Sequence, residues 1–415
     1  MTRSMSLGGR IAAVSRSAIT VVVASSAFVA TPYLRADTEP SDAKRAVDQP
    51  ENAEAKDSGE DRVIPRGDLL ERTRRKIQSV YELLDANEPT KALGRIEQLG
   101  AIIPDAERLY LMGRARLAMG EFIEARTKFR GAIQRRPRCG EFYYWLGVSY
   151  QKTNSHALAT SAFSKAGLKG LETSSLHEAW AVSLMETTDV LGDISRKRFE
   201  PPAEPWQVHG GIDRDGVLVS CVDPDANEWV IAPRNSALFH AQLATKLDES
   251  RGTAWLVAGE AWAKAGFHDI ASMRFSRAIE LLEGAELSRC HQLWAESLFV
   301  AADYDGFIDH AKKAVRTSAE GPGFNLADAY DRAAAGHALI GETDKQVNCL
   351  KFAVELDPTV ERQLRLADAL LVIERSEEAT TRLRDALAMN PSRAEKRQIK
   401  RRLLMVTQLT SPDRR

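Results

Sequence analysis

The feature that most constrains this chain is a pattern written twice, 34 residues apart, within residues 106–171. The first copy carries Gly113, Ala125, Phe129, Ala132 and Pro137, and the second carries Gly147, Ala159, Phe163 and Ala166 at the same places. Small and aromatic residues at these helical spacings let two antiparallel helices approach closely. A fixed period of this length marks a repeat that stacks on its neighbours, because one helix pair cannot bury its apolar face alone.

The second copy also carries Tyr143, Leu146, Gly147 and Tyr150 on its first helix, followed by Ala159, Phe163 and Ala166 on its second. These residues resemble the tetratricopeptide repeat (TPR) family. The resemblance implies an all-α helical-repeat solenoid whose concave face binds a peptide or protein. It names neither a reaction nor a particular partner.

Along the chain, residues 1–30 read as a signal peptide or N-terminal anchor. Arg3, Arg10 and Arg16 precede an uncharged run, Ala18 to Ala30, with small residues where a signal peptidase cuts. That run is short for a spanning helix, which needs about 20 apolar residues. Residues 31–66 are acidic and poor in large apolar side chains, the composition of a disordered linker. Repeats are expected over 67–189, starting after Asp68 as a helix N-cap. Residues 174–187 continue the period as a first helix, but its partner reappears only at 235–247, so one repeat spans 78 residues, 44 more than the period. The intervening 190–234 holds two β-type runs, Val217–Val222 and Glu228–Ile231, around Asp223-Pro224-Asp225-Ala226-Asn227, a turn-forming sequence. A small β-hairpin insertion is therefore expected to split one repeat. Repeats continue over 235–391, about eight in all, and residues 392–415 read as a basic capping helix and tail.

The 57 basic and 58 acidic residues nearly cancel, so charge gives no argument for nucleic acid, and a membrane enters only if residues 1–30 are retained. Cys139, Cys221, Cys290 and Cys349 are far apart. They lack the close-spaced pairs of zinc sites and read as small buried thiols. No phosphate-binding glycine loop or nucleophile motif is present, so neither a catalytic residue nor a cofactor or metal is expected. In the insertion, Asp223, Asp225 and Asn227 open like a calcium loop. Glu228 and Arg234 then stand where that loop needs Gly and Glu. Phe129, Phe163, Trp255, Trp262 and Phe275 are expected in the core, with Gly113, Gly147 and Gly259 allowing close helix approach.

The family's concave positions, carried onto this sequence, give a partner-binding groove of Tyr110, Arg114, Tyr144, Gln151, Lys152 and Glu178, with Glu107, Glu141, Met185 and Glu186 beside them. Tyrosine and arginine suit that role, since each joins contact area to a directional polar tip. The expected function is a non-catalytic protein-interaction scaffold outside the cytoplasm. Two alternatives stay open: an enzyme or ligand-binding protein with its site in 190–234, around His209 and Asp213, and a membrane-anchored assembly factor.

Overall fold

In the computed structural model the described residues are 66–198, 211–212, 215–223, 228–318 and 325–410. They belong to one compact unit, Ile64–Arg415. The N-terminal signal or anchor and, apart from Arg66, the acidic linker lie outside them. Among the described residues no helix is long and apolar enough to cross a membrane.

Among them, eight helix pairs follow one another. They are α1 (Arg66–Asp85) with α2 (Pro89–Leu99), α3 (Asp105–Ala118) with α4 (Phe122–Arg135), α5 (Gly140–Gln151) with α6 (His156–Leu168), and α7 (Ser174–Met185) with α8 (Ala237–Leu247). Next come α9 (Gly252–Lys264) with α10 (His268–Ile279), α11 (Gly284–Val300) with α12 (Tyr304–Thr317), α13 (Leu326–Leu339) with α14 (Thr343–Leu356), and α15 (Val360–Val372) with α16 (Ser376–Ala388). Helix α17 (Arg393–Thr410) closes the array. This is the TPR-type solenoid that the period predicts, with α1 starting at Arg66 rather than after Asp68.

Each first helix ends in the same way. Asn87, Gly120, Asn154, Gly266, Ala302, Gly341 and Glu374, one per pair, have positive φ. That left-handed residue reverses the chain and lets backbone N–H groups reach the last carbonyls. The exception is α7, where the insertion leaves the array. The prolines mark the other ends: Pro137, Pro358 and Pro391 follow α4, α14 and α16, because proline cannot donate the next helical hydrogen bond.

Aromatic residues of the second helices fill the gaps left by glycines of the first. A Cβ on Gly113 would lie 2.6 Å from Phe129 Cε1, and one on Gly259 would lie 2.6 Å from Phe275 Cδ1. Phe129, Phe163, Phe275 and Trp262 are fully buried, as expected. Trp255 is only half-buried: its Nε1 donates to the Glu249 carbonyl at 2.8 Å, and the Arg274 guanidinium lies over its ring.

The insertion is larger than the expected hairpin. Strands β2 (Gly216–Asp223) and β3 (Glu228–Pro233) pair antiparallel, but β1 (Ser195–Arg198) adds a third, giving the order β1-β3-β2. The sheet is fastened to the split repeat. Val217, Val219 and Ala232 share a core with Ala237, Leu238 and Phe239 of α8 and with Ala181 and Leu184 of α7. The Leu238 amide also donates to the Val190 carbonyl at 3.1 Å. Leu218, Trp229 and Ile231 form a second small cluster, as the two-residue alternation of a strand requires.

Candidate functional site, the inner face of the first helices

Besides packing on their own partners, α1 touches α3, α3 touches α5, α5 touches α7, α7 touches α9, and α9 touches α11. Layers that approach one another more closely lie on the inside of a curved stack, so these first helices form the inner face.

A ladder of side-chain contacts runs along this face. The Tyr81 hydroxyl of α1 donates to Glu107 Oε1 of α3 at 3.0 Å, and the Tyr110 hydroxyl of α3 donates to Glu141 of α5. Gln151 Nε2 of α5 donates to the Ala179 carbonyl of α7 at 3.1 Å. Glu178 Oε2 of α7 accepts from Arg251 Nε at 2.7 Å and from Thr253 Oγ1 of α9 at 3.0 Å. Burial, reinforced by the neighbouring carboxylates, pushes the Tyr81 and Tyr110 phenols above their ordinary range. Both therefore act as hydroxyl donors.

The ladder decides what each expected groove residue can do. Tyr110 is fully buried and stacks on Phe142, with centroids 5.0 Å apart. It therefore holds α3 against α5, and its ring is covered rather than open at the groove surface. The position was assigned from repeat numbering, which ignores the next first helix lying over it. Arg114 is partly exposed, with its guanidinium over Trp145 at 4.4 Å and Tyr81 at 5.7 Å and its Nη2 3.8 Å from Asp85. Tyr144 is half-buried, and Gln151 donates to the Ala179 carbonyl at 3.1 Å. Lys152 is exposed at the end of α5. Glu178 is held by α9, as described. Met185 is buried, while Glu186 is exposed and accepts from Lys264 Nζ at 3.0 Å. Sequence reasoning missed Tyr81 and Trp145, the two rings that hold Arg114. Their signal was an aromatic residue on each helix flanking α3.

Further along, an apolar cleft of about 380 Å³ opens between α9, α10 and α11. Ala263, Leu293 and Val300 line it, and Glu260, Lys264 and Glu296 are at its rim. The final repeats present a charged face. Arg362, 8% exposed in its side chain, donates Nε to Asp331 Oδ2 at 2.6 Å and also binds Asp328 and Asp357.

Among the described residues no group of three or more His, Cys, Asp or Glu side chains is placed to hold a metal ion. Asp215 in the insertion is exposed and pairs with Lys197 at 2.6 Å. His209, Asp213 and Asp225 lie outside the described residues.

No family model matches the chain, and no curated protein matches it. Solved structures similar to it include a tetratricopeptide repeat protein from Parabacteroides merdae, 13% identical, covering 73% of this chain and 99% of that one with a TM-score of 0.38. Another is a thermophilic TPR protein of Thermus thermophilus, 14% identical, covering 56% of this chain and 99% of that one with a TM-score of 0.36. A third is YrrB, described as a TPR protein with an unusual peptide-binding site, 16% identical, covering 65% and 92% with a TM-score of 0.32. The fold itself rests on this chain's own helices: eight stacked pairs and a cap, with a three-stranded sheet inside the fourth pair, make an all-α TPR-type solenoid.

Proposed function

We propose that the protein is a non-catalytic interaction scaffold that binds a peptide or protein partner on the inner face of α3, α5 and α7. The observation that supports this most is the ladder itself. It holds Gln151 and Glu178, and the Tyr81 and Trp145 rings beside it hold Arg114, before any partner arrives, so less side-chain freedom remains to be lost on binding. Arginine and aromatic rings held in place are the residue types that dominate interface energetics.

The residues to test are Arg114, Trp145 and Lys152, each with surface to offer, rather than Tyr110. Affinity capture from native extract, quantified by mass spectrometry, compares the wild type with Arg114→Ala/Trp145→Ala/Lys152→Ala. Loss of one partner with the helices intact supports the groove. A partner retained by this variant but lost on deletion of 194–232 moves the site to the insertion and overturns the reading.

Export to the periplasm or cell envelope is part of the same proposal, supported by the composition of residues 1–30 alone. N-terminal sequencing of the mature protein, with cell fractionation, separates a cleaved signal from a retained anchor. An uncleaved chain in the soluble cytoplasm would overturn both.

A further inference from the structure

Two of the eight helix pairs among the described residues carry facing histidines in place of the glycine–phenylalanine contact of α3–α4, α5–α6 and α9–α10. In the fourth pair, His177 of α7 and His240 of α8 face each other with Nδ1 atoms 2.9 Å apart, and the Trp180 ring lies 3.9 Å from the His240 ring. In the sixth pair, His291 of α11 and His310 of α12 do the same at 3.0 Å, with Trp294 3.9 Å from His310. Both sets read His-x-x-Trp on the first helix and His on the second, and both second helices place alanine, Ala241 or Ala311, where the other type has phenylalanine. All four imidazoles are buried.

Facing Nδ1 atoms hold one proton between them, so one ring donates and the other accepts while both are neutral. Among the described residues Nε2 of His177 and of His240 has no hydrogen-bond partner. An added proton on that pair would therefore sit buried and unsolvated, and a second would put two N–H groups head to head. The charged groups acting on the first pair are Glu172, before α7, and Arg234, before α8. On the packed helix α6, the Trp180 ring meets Gly167. Acting on the second pair are Lys313, Asp309 and Asp303, from α12 and the turn before it. There α10 contributes Ser272, which accepts from Trp294 Nε1 at 3.0 Å, and Phe275, stacked on the same ring.

We propose that the two histidine pairs are acid-operated latches, whose protonation opens α7 from α8 and α11 from α12 while the other helix pairs stay closed. The latched pairs flank α9 and α10, which are tied to them by Arg251–Glu178, Lys264–Glu186 and Arg289–Glu260. Opening would therefore free the middle of the inner face from both sides.

The pH window follows from linkage. Burial pushes His177 down to about 4, and burial followed by the His291 imidazole pushes His310 down to about 4. Burial also lowers His240 and His291. An opened chain binds these protons near the ordinary value of about 6.5, so it holds more protons than the closed form between about pH 6.5 and 4. Closure is thus complete in strength above pH 6.5 and weakens as pH falls through that window.

Hydrogen exchange on the full chain from pH 7 to 5, corrected for intrinsic exchange rates, tests this. Protection of α7–α8 and α11–α12 is expected to fall on the order of a hundredfold. The histidine-free pairs α3–α4 and α15–α16 serve as internal controls and are expected to change less than about threefold. A fall shared equally by all pairs, or no fall in α7–α8 and α11–α12, would overturn the proposal. The variant His177→Gln/His240→Gln/His291→Gln/His310→Gln is expected to be flat across the same range. If it does not fold, the internal comparison in the wild type still decides.

Discussion

The Phe163 ring occupies the space that a Cβ on Gly147 would need, its Cδ1 lying 2.6 Å from that position. Both residues are buried, and the helix on each side is continuous, so neither ring nor backbone has room to yield. Gly147→Ala is expected to destabilise the α5–α6 pair by about 1–2 kcal/mol, the overpacking cost less the gain in helix propensity. Thermal unfolding and hydrogen exchange of α5–α6 check it. An unchanged midpoint would mean that the ring has room to move.

Arg362 joins three carboxylates from α13 and from the turn before α15. Of these, Asp331 is 12% exposed in its side chain, whereas Asp328 and Asp357 are mostly in water. Arg362→Met leaves the nearly buried Asp331 with only the longer 3.6 Å pairing to Arg365 and is expected to cost about 2 kcal/mol. Arg362→Lys recovers only part of this, because an ammonium cannot reproduce the planar fork. Arg362→Met/Asp331→Asn should cost less than the sum of its single variants, measurable by urea unfolding as a double-mutant cycle.

Cys290 and Cys349 are free and buried, and burial pushes their thiols up to about 12 and about 11. Thiolate is the reactive form, so both are expected to resist iodoacetamide at pH 8 in the native protein and to react in urea. Cys139, also free, is only half-buried and is expected to react before these two. Peptide mapping after timed alkylation gives the order.

Much of this was legible because repeat packing is local. Gly147 and Phe163 lie 16 residues apart at fixed places in one period, so the pattern that identifies the repeat also names the contact. The strand Ser195–Arg198 was not legible, because Ser-Arg-Lys-Arg has no apolar alternation and joins the sheet through its backbone. The burial of Tyr110 was not legible, because numbering within a repeat says nothing about the helix that stacks over it. His177 and His240 are 63 residues apart, across the insertion, and only their equivalence to His291 and His310 betrays them. The matching His-x-x-Trp runs, His177 to Trp180 and His291 to Trp294, are the sequence signal of the two pairs.

The position of the sheet also sets how the chain must assemble. Most first and second helices are joined by turns as short as the three residues between Ala118 and Phe122, but 51 residues separate Met185 from Ala237. By loop length alone, closing that pair costs roughly 2–3 kcal/mol more in chain entropy. Among the described pairs, the α7–α8 contact is thus the one non-local helix hairpin in an otherwise low-contact-order array. The blocks on either side, α1–α6 and α9–α17, pack on α7 and α8 and are joined through that pair. The seam between them is expected to be the last part to zip, since its contact must close the longest loop among the described pairs.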